Sequence, residues 1–302
     1  MPLRLSADGR RVVAITTLAF VVLTAFAEAS HASFPGRNGR IAVTRLFTSD
    51  SDVFPFLTEL FTVDPRGRHQ REVLDEEDDS PTNPAFSPDG RTIAYESRSP
   101  NGIYTILDAA NAAPRRVTHG LDSAPAWSAD GQRIAFERGG VIHSIRRDGS
   151  EVVRVGKGLE PSWSAKGDLA FVRLREAPQR VVVSLYVVER GRAARRILSY
   201  AQPPPAVPPA LDWSPGGTRI VFPRSDPFGG GVYVLRATGR GLRRITASHG
   251  ENPSWSPDGT KIAFARGEDG LYVTNADGST ERRLLDEQAD NITWGRVRGD
   301  PR

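Results

Sequence analysis

A single recurring phrase constrains this chain more than any other feature of its 302 residues. It reads Trp-Ser-Pro-Asp-Gly, two variable residues, then Ile-Ala-Phe. It stands as Phe86-Ser87-Pro88-Asp89-Gly90 with Ile93-Ala94-Tyr95, and as Trp127-Ser128-Ala129-Asp130-Gly131 with Ile134-Ala135-Phe136. Trp163-Ser164-Ala165-Lys166-Gly167 with Leu169-Ala170-Phe171 is one residue shorter, and copies headed by Trp213 and Trp255 follow. An opening variant runs from Phe34-Pro35-Gly36 to Ile41-Ala42-Val43, and Trp294 stands alone near the end. The aromatic slots fall at 86, 127, 163, 213, 255 and 294, in steps of 41, 36, 50, 42 and 39. A period near 40 is that of a four-stranded propeller blade.

Each part of the repeat has a physical reason to form a strand or a turn. In Ser-Pro-Asp-Gly, proline presets φ, aspartate bonds locally and glycine accepts the strained last place. Ile-Ala-Phe then alternates as a strand does. A third strand carries a central aromatic, at Phe61, Tyr104, Tyr186, Tyr233 and Tyr272, with His143 in the equivalent slot. A short basic fourth strand follows at Arg115-Arg116, Arg195-Arg196, Arg243-Arg244 and Arg282-Arg283, where charge discourages edge pairing. The first unit has only Ser33-Phe34 where an opening strand belongs, whereas Asn291-Ile292-Thr293-Trp294 is an opening strand with no turn after it. The two halves complete one blade. The expected fold is therefore all-β: a six-bladed β-propeller of four-stranded blades over residues 33–297, closed by a C-terminal strand, with a short tail at 298–302.

The repeat is similar to the WD40-like repeat of the TolB-type β-propeller family, over residues 34 to about 297. That resemblance implies a binding propeller of the cell envelope, with motif residues that are architectural and not catalytic. Proteins of the TolB type are periplasmic parts of an envelope-spanning system and carry an α/β domain before the propeller. Here the sequence leaves no room for that domain ahead of the first repeat.

The N-terminus reads as an export signal over residues 1–32. Arg4, Arg10 and Arg11 precede an apolar run from Val12 to Ala27, and small residues permit cleavage after Ala29 or Ala32. The run is shorter than the ~20 residues of a spanning helix, so a signal helix removed by general secretion is expected. A retained anchor is the alternative, and the Arg10-Arg11 context fits a twin-arginine signal poorly. The mature protein is then expected outside the cytoplasm, periplasmic, envelope-associated or extracellular, with no stable membrane span and as a monomer.

Composition narrows the chemistry. With no Cys, thiolate metal sites and a Cys nucleophile are excluded. The net charge of +4 comes from 40 basic residues of which only Lys157, Lys166 and Lys261 are lysine. Their scatter argues against nucleic acid as the partner. All five Trp occupy the repeat slot, leaving none for stacking on sugars. Histidines 31, 69, 119, 143 and 249 show no metal-ligand spacing, Gly-x-Ser-x-Gly is absent, and no cofactor or metal is expected. Paired carboxylates could lie among Glu160, Asp212, Glu251 and Asp290, and the acidic run 75–79 reads as a solvated loop. Tyr200 is expected within a Pro-rich connection, with prolines at 203–205 and 208–209, that reads as a stiff surface loop.

The expected function is capture of another envelope or extracellular macromolecule, a protein or an anionic polymer. The alternative is a propeller hydrolase or polysaccharide lyase acting at the channel mouth. Blade geometry places the Ser-Pro-Asp-Gly turns on one face, the bottom. The long connections 46–57, 75–83, 174–183, 199–209 and 225–231 then share the top, where binding is expected. Two residues after each Ile-Ala-Phe, at the top end of the second strand, stand Arg45, Arg138, Arg173, Arg224 and Arg266, with Ser97-Arg98 in the remaining unit. Ring closure turns these six arginines into a circle able to bind an anion. Stacking on a neighbouring blade's aromatic, or pairing with Glu160, Glu251 or Asp290, is the architectural alternative.

Overall fold

The structure, a computed structural model, describes residues 31–48, 56–74, 80–109, 111–225 and 230–298. The expected signal helix lies outside the described residues. Six antiparallel sheets of four strands follow one another around a ring, each strand order matching the chain order of its repeat. The inner strands of blades 2 to 6 are Thr82–Phe86, Ser123–Trp127, Leu159–Trp163, Asp212–Trp213 and Glu251–Trp255. Blade 1 is built from both ends of the chain: Ile292–Arg296 pairs with Asn38–Thr48, which continues to Phe56–Val63 and Arg71–Leu74. Closure by the C-terminal strand is thus as the half-blades required.

The Ser-Pro-Asp-Gly turns form as their chemistry dictates. In the first, Ser87 Oγ donates to Asp89 Oδ1 at 2.6 Å and accepts the Thr92 amide at 3.0 Å, while the Arg91 amide donates to Asp89 Oδ1. Gly90 takes φ +67°, and Gly131, Gly167, Gly217 and Gly259 repeat that left-handed geometry. The aromatic slot supplies the packing. Trp127, Trp213, Trp255 and Trp294 are almost wholly buried between blades, and Trp127 Nε1 donates to the Ala85 carbonyl of the preceding blade. Burying a large aromatic removes ~150–250 Å² from water, so these side chains carry much of the inter-blade stability.

Two features were not foreseen. Ser33-Phe34 does not start blade 1: the chain before it, His31–Ala32, pairs in parallel with Asp212–Trp213 on the axis side of blade 5 and touches the inner strands of blades 2, 3 and 4. Ser33 and Phe34 are buried, and Phe34 joins Ala85 and Trp127 in the core of blades 2 and 3. The channel is therefore filled toward its bottom end by the chain itself. The second feature is blade 4, whose strands Leu169–Ala177, Arg180–Val188 and Arg195–Gln202 are the longest set in register. Most of the expected connection 174–183 and the first four residues of 199–209 are strand, not loop. They raise blade 4 above the ring on the top face.

Candidate functional site

The arginines of blades 1 and 3 to 6 lie on the top face as five separate stacks. In blades 2 to 6 the last residue of Ile-Ala-Phe faces the third-strand aromatic across the sheet, giving ring pairs Tyr95–Tyr104, Phe136–His143, Phe171–Tyr186, Phe222–Tyr233 and Phe264–Tyr272 at 5.3–6.2 Å. In blades 3 to 6 the arginine two residues later lies over one or both rings, whereas in blade 2 that position is Ser97. Arg173 lies 4.6 Å from the Tyr186 ring centre, Arg266 lies 4.2 Å from that of Tyr272, and Arg138 lies 5.3 Å from that of Phe136. Arg45 does the same over Phe61 in blade 1. The alternation explains this: residues two apart on a strand share a face, so aromatic and guanidinium are stacked along it. The stacks are within a blade and not, as in the architectural alternative, between blades; Arg224 alone among these stacked arginines also meets a ring of a neighbouring blade.

Most of the circle is neutralised locally. Arg138 forms a two-pronged pair with Asp122 at 2.5 and 2.7 Å. Arg45 pairs with Glu59 and Glu287, Arg266 with Glu281 at 2.8 Å, and Arg98 lies 3.8 Å from Glu96. None of these partners is Glu160, Glu251 or Asp290. Arg173 and Arg224 pair with no carboxylate among the described residues; Arg173 donates instead to the Lys157 carbonyl at 3.0 Å.

Arg224 sits in a cleft. A top-face cavity of about 180 Å³ opens between blades 4, 5 and 6, lined by Tyr200, Pro205, Pro209, Arg224, His249 and Glu251 among others. Arg224 is held between the Tyr233 ring of its own blade, at 5.6 Å, and the Tyr200 ring of blade 4, at 4.7 Å. Its Nε is buried with no hydrogen-bond partner among the described residues. Tyr200 is therefore not in the Pro-rich connection; it is a buried residue of the long strand Arg195–Gln202. His249 bonds Glu251 at 3.1 Å on the cleft's rim.

The remaining candidates do not gather. His69 pairs with Asp64 on the outer side of blade 1, and His143 fills an aromatic slot. The run 75–79 lies outside the described residues. Asp212 is completely buried in the channel wall, while Asp290 lies at the top of the last strand, its pKa raised by burial and by nearby Glu251. Among the described residues, no group of three His, Asp or Glu is placed to hold a metal ion. No described helix is long and apolar enough to cross a membrane.

Comparison with known proteins agrees with the repeat. No family model matches the chain. A Tol-Pal system protein TolB of Francisella tularensis subsp. mediasiatica is 38% identical over 84 residues, which are 26% of this chain and 19% of that protein. The match thus spans about a fifth of the curated relative's length. Among solved structures, TolB of Acinetobacter baumannii superposes with a TM-score of 0.65 at 20% identity, over 85% of this chain and 67% of that one. A chain of a nidogen/laminin complex reaches 0.63 at 10% identity, over 85% and 98%, so the ring alone is widely shared. The ring is thus a six-bladed β-propeller, and its repeat phrase, intact as Ser-Pro-Asp-Gly in blades 2 and 6 and drifted in blades 3 to 5, is similar to that of the TolB-type propellers.

Proposed function

We propose that this chain is an exported, non-enzymatic propeller that captures an acidic protein segment of the cell envelope on its top face. The observation that carries this reading is the cleft at Arg224. There a guanidinium is oriented by two aromatic rings, lacks a carboxylate among the described residues, and keeps a buried donor unused. An unused buried donor is costly, so a ligand carboxylate that accepts from it gains a charge-assisted bond in a partly dry site. The prolines around it form a wall that needs little ordering when a chain segment docks. Raised blade 4 makes one side of the groove, and Arg173 of that blade adds a second positive charge. The likeness to TolB of the Tol-Pal system supports a protein partner, and the leader-like N-terminus supports a periplasmic or extracellular setting.

The test uses the mature protein as bait for envelope proteins, with Arg173 and Arg224 changed together to Gln. Capture is expected to fall by about tenfold or more, the loss of one to two charge-assisted hydrogen bonds, and the wild-type interaction should weaken as salt rises. Arg138→Gln, whose guanidinium is occupied by Asp122, should bind as wild type. If the double variant is folded and captures the same partner equally well, the cleft is not the site.

A further inference from the structure

The inner strands share a position just before the aromatic slot, and five of the six residues there are small and neutral: Ala85, Ala126, Ser162, Ser254 and Thr293. The sixth is Asp212. It is completely buried, and it lies on the one blade whose axis-side edge carries the N-terminal segment. Its Oδ2 is 2.8 Å from Ser33 Oγ and accepts the Trp255 amide at 2.6 Å, with Ser254 Oγ at 3.3 Å. The Ser33 backbone amide donates to the same carboxylate. Its Oδ1 has no partner among the described residues, and no ion pair reaches it there. An acid in such a place is expensive: burial pushes its pKa well up, because a carboxylate taken out of water without a cation is strongly disfavoured.

The sequence offers a cation at that spot. Ser30-His31-Ala32 has small residues at the two places a leader peptidase reads, directly before Ser33. We infer that the leader is cut between Ala32 and Ser33, and that the α-ammonium released on Ser33 becomes the buried counter-ion of Asp212. The step is a hydrolysis: water adds across the Ala32–Ser33 amide, Ala32 departs as a carboxylate, and the Ser33 nitrogen keeps its hydrogen and gains two to become an ammonium. The cut falls on the unfolded chain during export, so the later burial of Ser33 does not block it. Every hydrogen-bond partner of Asp212 remains in the shortened chain; the pairing of His31–Ala32 with Asp212–Trp213 and the contacts of those two residues with the inner strands of blades 2, 3 and 4 are given up. A cut after Ala29 would leave the new charge three residues away and Asp212 without a cation. Processing is then a final structural step: it supplies the charge that fastens the channel segment to blade 5.

This inference rests on the export reading, and the experiment separates the two. The full chain is produced in a secreting bacterium, and the exported product is examined by N-terminal sequencing and intact mass. Ser33 as the first residue is expected. Ser30 as the first residue overturns the assignment while leaving export intact, and an unprocessed chain overturns both. In a second arm, chains beginning at Ser33 and at Ser30 are each compared with their Asp212→Asn variants by thermal unfolding. Loss of the acid should lower the melting temperature by several degrees in the Ser33 chain and by clearly less in the Ser30 chain. Equal losses in the two backgrounds overturn the ion pair.

Discussion

Glu96 shows how a buried acid behaves when a cation 3.8 Å away, Arg98, does not outweigh burial. It lies on the second strand of blade 2 with its side chain 12% exposed, accepting from Asn83 Nδ2 at 2.7 Å. Burial raises its pKa above 4.5, and the Asn83 and Ala124 donors and Arg98 offset only part of that. Ala124 can supply its amide because, like Asn83, Glu160 and Asn252, it adopts a left-handed φ near +50° before a proline. The folded chain holds the Glu96 proton more tightly than the unfolded chain. Its contribution to stability is therefore full below the ordinary carboxylate pKa and is lost as pH rises through the raised folded value. Glu96→Gln, which keeps an acceptor for Asn83, is expected to match wild type at pH 4 and to melt higher at pH 7. A variant that melts below wild type by the same amount at both pH values would show that ionisation is not the issue.

The strands set what each edge can do. Where the fourth strand is two residues long, as at Arg115–Arg116 and Arg243–Arg244, it offers little for another chain to pair with. The inner edge of blade 1 is different, because it is closed only by Ile292–Arg296, which also brings Trp294 into the inter-blade core. Removing residues 289–302 is expected to lower stability by at least the ~3–5 kcal/mol of a lost core aromatic, read as a large fall in melting temperature. A chain cut after residue 298 is the control, and equal melting of the two truncations would mean that the strand does not hold the ring shut. This closure was legible because two half-blades were visible at the two ends of the sequence. Blade 4 was not legible. The stretch Leu174 to Val183 carries Arg175, Glu176, Pro178 and Gln179 and reads as a loop, since these polar and turn residues hide a hairpin whose Val181 and Val183 are buried. Tyr200 was misplaced for a related reason: three residues before a proline run, it looks like part of the loop, and only blade 4's long outer strand brings it over Arg224.

At the scale of the whole molecule, the bottom is repetitive and the top is not. The repeat phrase made the blade count readable because its residues serve the turn and the aromatic slot in every copy. The spacing of the arginines was equally plain, but the identity of their partners was not. Asp122, Glu59, Glu281 and Glu287 come from connections and other strands, and nothing local in the sequence ties them to a particular arginine. The channel segment had no sequence signature either, since Ser33-Phe34-Pro35-Gly36 resembles a turn. Its effect is global: Phe34 bridges the N-terminal segment to the core of blades 2 and 3. Phe34→Ala is expected to cost about 3–5 kcal/mol of unfolding free energy, lowering one cooperative transition. A separate low-temperature transition, with the main one unmoved, would mean that the segment is an independent appendage.

The shared first blade also sets a clock. Trp294 donates its ring N–H to the Gly39 carbonyl, 255 residues earlier in the chain. At ~5–20 residues per second, synthesis leaves the blade 1 partner strand waiting on the order of ten seconds or longer before its mate exists. Through that interval the ring cannot close, and the blade 1 edge has no strand to cover it. The growing chain is thus kept pliable until its final dozen residues appear, and the last strand made decides when the molecule becomes a closed object.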